Sequence, residues 1–284
     1  YCWMVFLIIC LYVFCFAVNG IFSLFKGVVA RFNNGDMTFS GDSLFKMCTK
    51  DSTFSFLPET GKSLHVRFED NACLTNTASN FKIGGNADAP AVVEFASAAN
   101  HGSPNLGNNQ EGGLGMVGYV GCDAGYGEMV VSAGKAGFGV LGTVIGGSTD
   151  KTSSTGVKGV LRVTGGWFRS TGTGYYGWIR TRPGGLNVGY GALTTVTSGR
   201  PYEGLVVQTG GVISNEMACT VIGAGYATGT WQQSGGVSWL CNNLNENTHV
   251  DIGTAGGVGR FELSGGVAEA RGGVYIGGTF QDMY

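Results

Sequence analysis

From Met37 onward the apolar positions come in short bursts, alternating or β-branched, and each burst ends in glycine. Two signatures recur. The first is an apolar or β-branched run closed by Ser/Thr-Gly-Gly, at Leu161–Gly166, Val206–Gly211, Trp231–Gly236 and Phe261–Gly266. The second is an aliphatic pair or alternation closed by a single glycine. It stands at Val144–Gly146, Leu186–Gly189, Val221–Gly223, Val250–Gly253 and Val274–Gly277. Their spacing is regular: Ile222 precedes Trp231 by nine positions, Ile252 precedes Phe261 by nine, and Ile83 precedes Val92 by nine. The longer parallel of Met129–Gly134 leading to Thr143–Gly146 repeats as Leu205–Gly210 leading to Thr220–Gly223. One repeat is therefore roughly 25–30 residues, within the range of solenoid repeats.

Each burst predicts a short strand, and each glycine a corner where positive φ costs nothing. No segment beyond the N-terminal run carries a sustained 3.6-residue apolar period, so helix is not expected there. Two or three such strands cannot bury a face alone, but stacked repeats can. Each strand then pairs with its equivalent one coil away, and like residues form ladders. Ile222/Ile252/Ile276 and Trp231/Phe261 are the expected ladders. About 27 residues per coil from Met37 allows roughly nine coils and a rod of ~40 Å. A propeller or sandwich would need longer strands and hairpin turns, and Asn-Gly or Asp-Gly turns are few. The expected fold is all-β: a right-handed parallel β-helix preceded by an N-terminal signal or anchor helix.

Residues 3–18 carry no charge, and polar sequence follows. This predicts a signal peptide over 1–17, with Cys15-Phe16-Ala17 as the cleavage site, or a membrane anchor. No Lys or Arg precedes the run, the chain opens on Tyr1, and the pattern stops inside a repeat at Gln281–Tyr284. The sequence is accordingly expected to be a piece of a longer chain. Residues 18–118 read as an irregular part of the solenoid ending in a Gly/Asn-rich loop at 100–118. Residues 119–284 read as the regular glycine-rich solenoid, with a second loop insertion at 148–158.

Composition narrows the function. Glycine accounts for 52 of 284 residues, but with 5 prolines and no three-residue period the chain is not collagen. Lys+Arg 17 against Asp+Glu 19, with no basic stripe, excludes a nucleic-acid partner. Membrane contact is expected only through the N-terminal segment or a missing domain. Cys2, Cys10 and Cys15 belong to the apolar run. Cys48, Cys73, Cys122, Cys219 and Cys241 are scattered without CxxC, which argues for buried thiols over zinc or redox motifs.

The Ser/Thr-Gly-Gly-Val signature followed by Val/Ile-Gly resembles the repeats of bacterial autotransporter passengers and related surface β-helix proteins. The resemblance is close over 120–284 and loose over 37–119. It implies a bacterial protein, secreted or at the cell surface, elongated, and structural or adhesive; the C-terminal membrane barrel of that family is not visible.

Candidate chemistry is sparse. Three GxGxxG stretches begin at Gly113, Gly137 and Gly172, but no helix pattern follows any of them, so no dinucleotide cofactor is expected. Gly256–Ser264 approaches a calcium nonapeptide, with Phe261 in place of its Asp. The carboxylates Asp88, Glu94, Asp123, Glu128, Glu203, Glu216, Asp251 and Glu262 are isolated in sequence. The alternative function, a carbohydrate-active β-helix enzyme, would need stacking to bring remote ones together. His65, His101 and His249 are unclustered and read as surface or loop residues. No catalytic, cofactor or metal residue is assigned. The remaining candidates are the aromatics Trp167, Tyr175, Tyr176 and Trp178 with Arg180, placed to stack on and pair with an extracellular polysaccharide. Trp231 and Trp239 are expected to point inward.

Overall fold

A computed structural model describes residues 16–18, 21–24, 31–32, 35–47, 53–59, 61–76, 80–84, 90–102, 117–121, 125–139, 142–147, 157–171, 185–191, 202–216, 219–225, 227–242 and 248–278. They hold 26 strands and no helix. Three ribbons of parallel strands run along a solenoid. Sheet I consists of β1 (Phe16–Val18), β4 (Gly35–Phe39), β7 (Leu64–Phe68), β10 (Pro90–Phe95), β12 (Tyr126–Val131), β15 (Val157–Val163), β18 (Tyr202–Gln208), β21 (Thr228–Gln233) and β24 (Val258–Leu263), paired in that order. Sheet II comes in two sections. One is β2 (Ile21–Leu24), β5 (Leu44–Met47) and β8 (Cys73–Asn76); the other is β13 (Lys135–Phe138), β16 (Trp167–Ser170), β19 (Val212–Asn215), β22 (Val237–Cys241) and β25 (Val267–Ala270). Sheet III consists of β3 (Arg31–Phe32), β6 (Thr53–Phe56), β9 (Asn80–Ile83), β11 (Val117–Val120), β14 (Gly142–Gly147), β17 (Leu186–Tyr190), β20 (Thr220–Ala224), β23 (His249–Thr254) and β26 (Gly273–Ile276).

Nine strands in each long sheet make nine coils, about 40 Å of rod at ~4.8 Å per coil. The count includes a first coil over 16–32, ahead of the Met37 start expected from sequence. Phe16–Val18, at the end of the expected leader, pairs with Met37–Phe39; residues 1–15 lie outside the described residues. No helix among the described residues is long and apolar enough to cross a membrane. Among the described residues the fourth coil has no strand in sheet II, where a bridge from Asn100 to Lys135 keeps the register.

The ladders expected from sequence form. Ile222 pairs in register with Ile252, and Ile252 with Ile276. Trp231 is opposite Phe261, their rings 6.0 Å apart. Another inward column of sheet I begins with Phe39, Phe68 and Phe95, stacked at 4.8 and 5.5 Å. It passes through Val131 and Val163 and becomes polar at Gln208 and Gln233. Both glutamines are buried, and each amide reaches across the corner to a sheet II carbonyl, Val237 and Val267, at 3.0 Å. Ser238 donates to Gln233 Oε1 at 2.9 Å, so the polar corner is hydrogen-bonded as burial requires.

The double glycine between sheets I and II has two separate physical causes. Gly166 has φ 62°, the left-handed region that only glycine enters freely. At Gly165 the cause is space: a Cβ there would lie 2.3 Å from the Ser132 carbonyl of the preceding coil. A column not evident from sequence runs through the second or third residue of the sheet I strands: Gly127, Gly159, Gly204, Gly229 and Gly259, all in register. A Cβ on Gly159 would lie 2.0 Å from the Val120 carbonyl.

Candidate functional site

The core accepts little variation, so recognition chemistry belongs to the outward rows. Counting from the double glycine sets the facing in sheet II: the first and third residues point out, the second and fourth in. Phe168 is therefore buried and meets Phe138 at 6.1 Å, whereas Trp167 lies half-exposed on the outer face. One outer row runs Lys135, Trp167, Val212, Val237 and Val267; the next runs Gly137, Arg169, Ser214, Trp239 and Glu269. Trp239 thus faces outward, contrary to the expectation of an inward tryptophan, because Ser238 and Leu240 take the inward positions of β22.

Trp167 and Trp239 meet edge to face across the intervening coil, with ring centroids 6.2 Å apart. The Trp167 Nε1–H donates to Ser214 Oγ at 2.9 Å, which fixes the ring. Lys135 Nζ sits 4.4 Å from the Trp167 centroid, a cation–π distance. Arg169 forms a two-pronged ion pair with Glu216 beside them. The result is a ridge of two half-exposed indoles flanked by Lys135, Arg169 and Glu216. Tyr175, Tyr176, Trp178 and Arg180, the other expected contact residues, lie outside the described residues.

On the outer face of sheet I stacking brings charges together, but as ion pairs. Glu94 meets Arg67, Glu128 meets Arg162 and Glu203 meets Lys158 at 3.6 Å across neighbouring coils, and Glu262 meets Arg260 two residues away on its own strand. Each of these carboxylates is engaged by a cation, unlike the pair that glycoside chemistry requires. Among the described residues no group of three or more His, Cys, Asp or Glu is arranged to hold a metal ion.

The histidines divide three ways. His65 is a surface residue between Asp36 and Glu94, 3.8 Å from each. His101 is buried, contrary to expectation. Its Nδ1 accepts the Leu74 N–H at 3.1 Å, its ring packs on Phe95 at 4.6 Å, and burial pushes its pKa down to about 3. His249, expected to be unclustered, stands between Cys219 and Asp251 on the outer row of sheet III. Cys73 and Cys241 are thiols, half-buried and buried respectively; Cys48 and Cys122 lie outside the described residues. No protein family, curated protein or solved structure matches the chain, so its architecture stands on its own geometry as an all-β solenoid of parallel repeats.

Proposed function

We propose that the chain is a non-catalytic, exported surface scaffold that holds an extended polysaccharide along the outer face of sheet II. The observation that carries this is the half-exposed Trp167–Trp239 ridge with Lys135 and Arg169 beside it. Indole rings offer large apolar faces at little conformational cost, and the flanking Lys135 ammonium and the Arg169–Glu216 pair offer polar groups to the hydroxyls of a sugar chain. A rigid rod holds these groups in line across successive coils, with Lys135 one coil before Trp167 and Trp239 two coils after it, which suits an extended polymer better than a compact ligand. Tyr175, Tyr176, Trp178 and Arg180 are proposed as further sugar-contact residues. The polymer belongs to an extracellular matrix or another cell surface.

The test is a panel of neutral and acidic polysaccharides, with binding followed by pull-down and tryptophan fluorescence and cleavage by new reducing ends. Each aromatic contact is worth about 0.5–1.5 kcal/mol, so the Trp167→Ala/Trp239→Ala double variant should bind roughly tenfold more weakly. Binding that is absent, or unchanged in the double variant, would overturn the assignment of the ridge. Release of reducing ends would overturn the non-catalytic scaffold.

A further inference from the structure

Sheet III carries a second outward feature, independent of the glycan ridge. Thr220 of β20 pairs with Val250 of β23, so Cys219 and His249, one residue earlier in each, are also opposite one another. Alternation turns both side chains outward, together with Asp251 two residues beyond His249. Cys219 Sγ lies 3.4 Å from His249 Nδ1, and His249 Nε2 lies 3.0 Å from Asp251 Oδ2. Cys219 is half-exposed and His249 largely covered, while Asp251 is fully buried. From β26 the Tyr275 ring stands edge-on to the imidazole at 5.5 Å.

The carboxylate explains the arrangement. Among the described residues neither Asp251 oxygen has an in-line hydrogen bond, so the ionic contact with His249 is what compensates a charge with no access to water. A buried carboxylate left uncompensated is strongly destabilising. His249 is therefore held as imidazolium, its pKa pushed up to about 10 by Asp251 first and Cys219 second, against the opposing effect of burial. The groups facing it are Cys219 just before β20, Asp251 on its own strand and Tyr275 from β26. The sulfur and the carboxylate occupy opposite ring nitrogens, so the three cannot converge on one metal ion. They form instead a nucleophile, a proton-carrying imidazole and an orienting carboxylate, the arrangement that activates a cysteine for acyl chemistry.

We propose that Cys219, His249 and Asp251 form an acyl-accepting thiol site whose donor is an activated ester or thioester. The Cys219 sulfur, 3.4 Å from the imidazolium Nδ1, attacks the acyl carbonyl carbon in its nucleophilic deprotonated form. The new C–S bond replaces the C–O or C–S bond to the leaving group, which departs as its anion and takes its proton from solvent, while His249 stays imidazolium beside Asp251. The products are S-acyl Cys219, the unchanged imidazolium and the free alcohol or thiol. Asp251 is a positioning residue, since it acts only through His249.

The experiment uses p-nitrophenyl acetate at pH 7 on the intact chain, with acetylation of each cysteine followed by peptide mass mapping. Cys219 should acetylate at least tenfold faster than Cys73 in the same molecule. His249→Gln and Asp251→Asn should each lower the Cys219 rate at least tenfold, with the far-UV circular dichroism unchanged. Histidine ring ¹⁵N shifts at pH 8 should report imidazolium at His249 in the wild type and neutral imidazole in Asp251→Asn, which loss of packing alone would not produce. A Cys219 rate no greater than that of Cys73, or one unmoved in folded His249→Gln, overturns the proposal. If both variants unfold, the wild-type contrast with Cys73 and the wild-type ¹⁵N shifts decide it.

Discussion

Three glycine-to-alanine changes separate the two constraints that shape the corners of this rod. Gly61 has φ 72° and nothing within 4 Å of a built Cβ, so Gly61→Ala probes backbone strain alone. The left-handed conformation costs about 1–2 kcal/mol, offset by about 0.4–1 kcal/mol from the stiffer unfolded chain. The net loss should be roughly 0.5–1 kcal/mol. Gly165 has ordinary φ, but its Cβ would lie 2.3 Å from Ser132 O, so Gly165→Ala probes contact alone. That carbonyl cannot retreat freely, because Gly134 O of the same corner accepts the Trp167 N–H at 2.8 Å and the coils are held at ladder spacing. Overpacking of this kind costs about 1–3 kcal/mol. Gly166 combines φ 62° with a Cβ 2.6 Å from the Ala133 carbonyl, so Gly166→Ala should cost roughly 2–4 kcal/mol. Urea denaturation at constant slope reads the differences. Stacked repeats can unfold in part, so exchange of the Trp167 amide gives a local reading of the same corner. The reasoning fails if Gly165→Ala falls within 0.5 kcal/mol of the wild type.

Two further predictions concern the core. His101 has its folded pKa lowered to about 3 from 6.5, so its neutral form favours the fold above pH 6.5. That contribution is lost as pH falls from 6.5 toward about 3, at up to about 1.4 kcal/mol per pH unit. His101→Asn keeps an acceptor for the Leu74 N–H, and the wild-type-minus-variant difference in urea stability should carry this slope; a flat difference would refute the burial argument. Trp231 is fully buried and its Nε1–H has no hydrogen-bond partner among the described residues. Thermal or urea unfolding should therefore show Trp231→Phe costing less than about 1.5 kcal/mol, and Trp231→Ala about 3–5 kcal/mol.

The repeat was legible because a solenoid core sets like residues against like. The offset from Ile222 to Trp231 recurs from Ile252 to Phe261 only if successive coils follow the same path, and both ladders formed. The outer rows were legible in principle too. Counting from Gly236 gives Val237 out, Ser238 in and Trp239 out, as counting from Gly166 gives Trp167 out and Phe168 in; hydrophobicity alone sent Trp239 to the core. Extending both single-glycine signatures to five residues aligns Cys219-Thr-Val-Ile-Gly223 with His249-Val-Asp-Ile-Gly253, which sets Cys219 opposite His249. The contact was missed because the residues are thirty apart and neither belongs to a linear motif. Burial of His101 was not legible, since it depends on the fourth coil replacing its sheet II strand by one bridge at Asn100.

The same register makes the two proposed surfaces controls for one another. Trp239 lies in sheet II of the coil whose sheet III strand carries His249 and Asp251, so one coil supplies both sites on different faces. Damage to that coil's packing must reach both, because its strands share Ile252 and Leu240 in one core cluster. A specific loss must not: Trp239→Ala should weaken polysaccharide binding and leave the Cys219 acetylation rate unchanged, and His249→Gln should do the reverse. Loss of both functions in either variant would point to unstacking of the coil rather than to the chemistry of its outer rows. Independent loss would mean that a solenoid coil, constrained inside by ladders and glycine corners, is free to carry unrelated chemistry on each outward face.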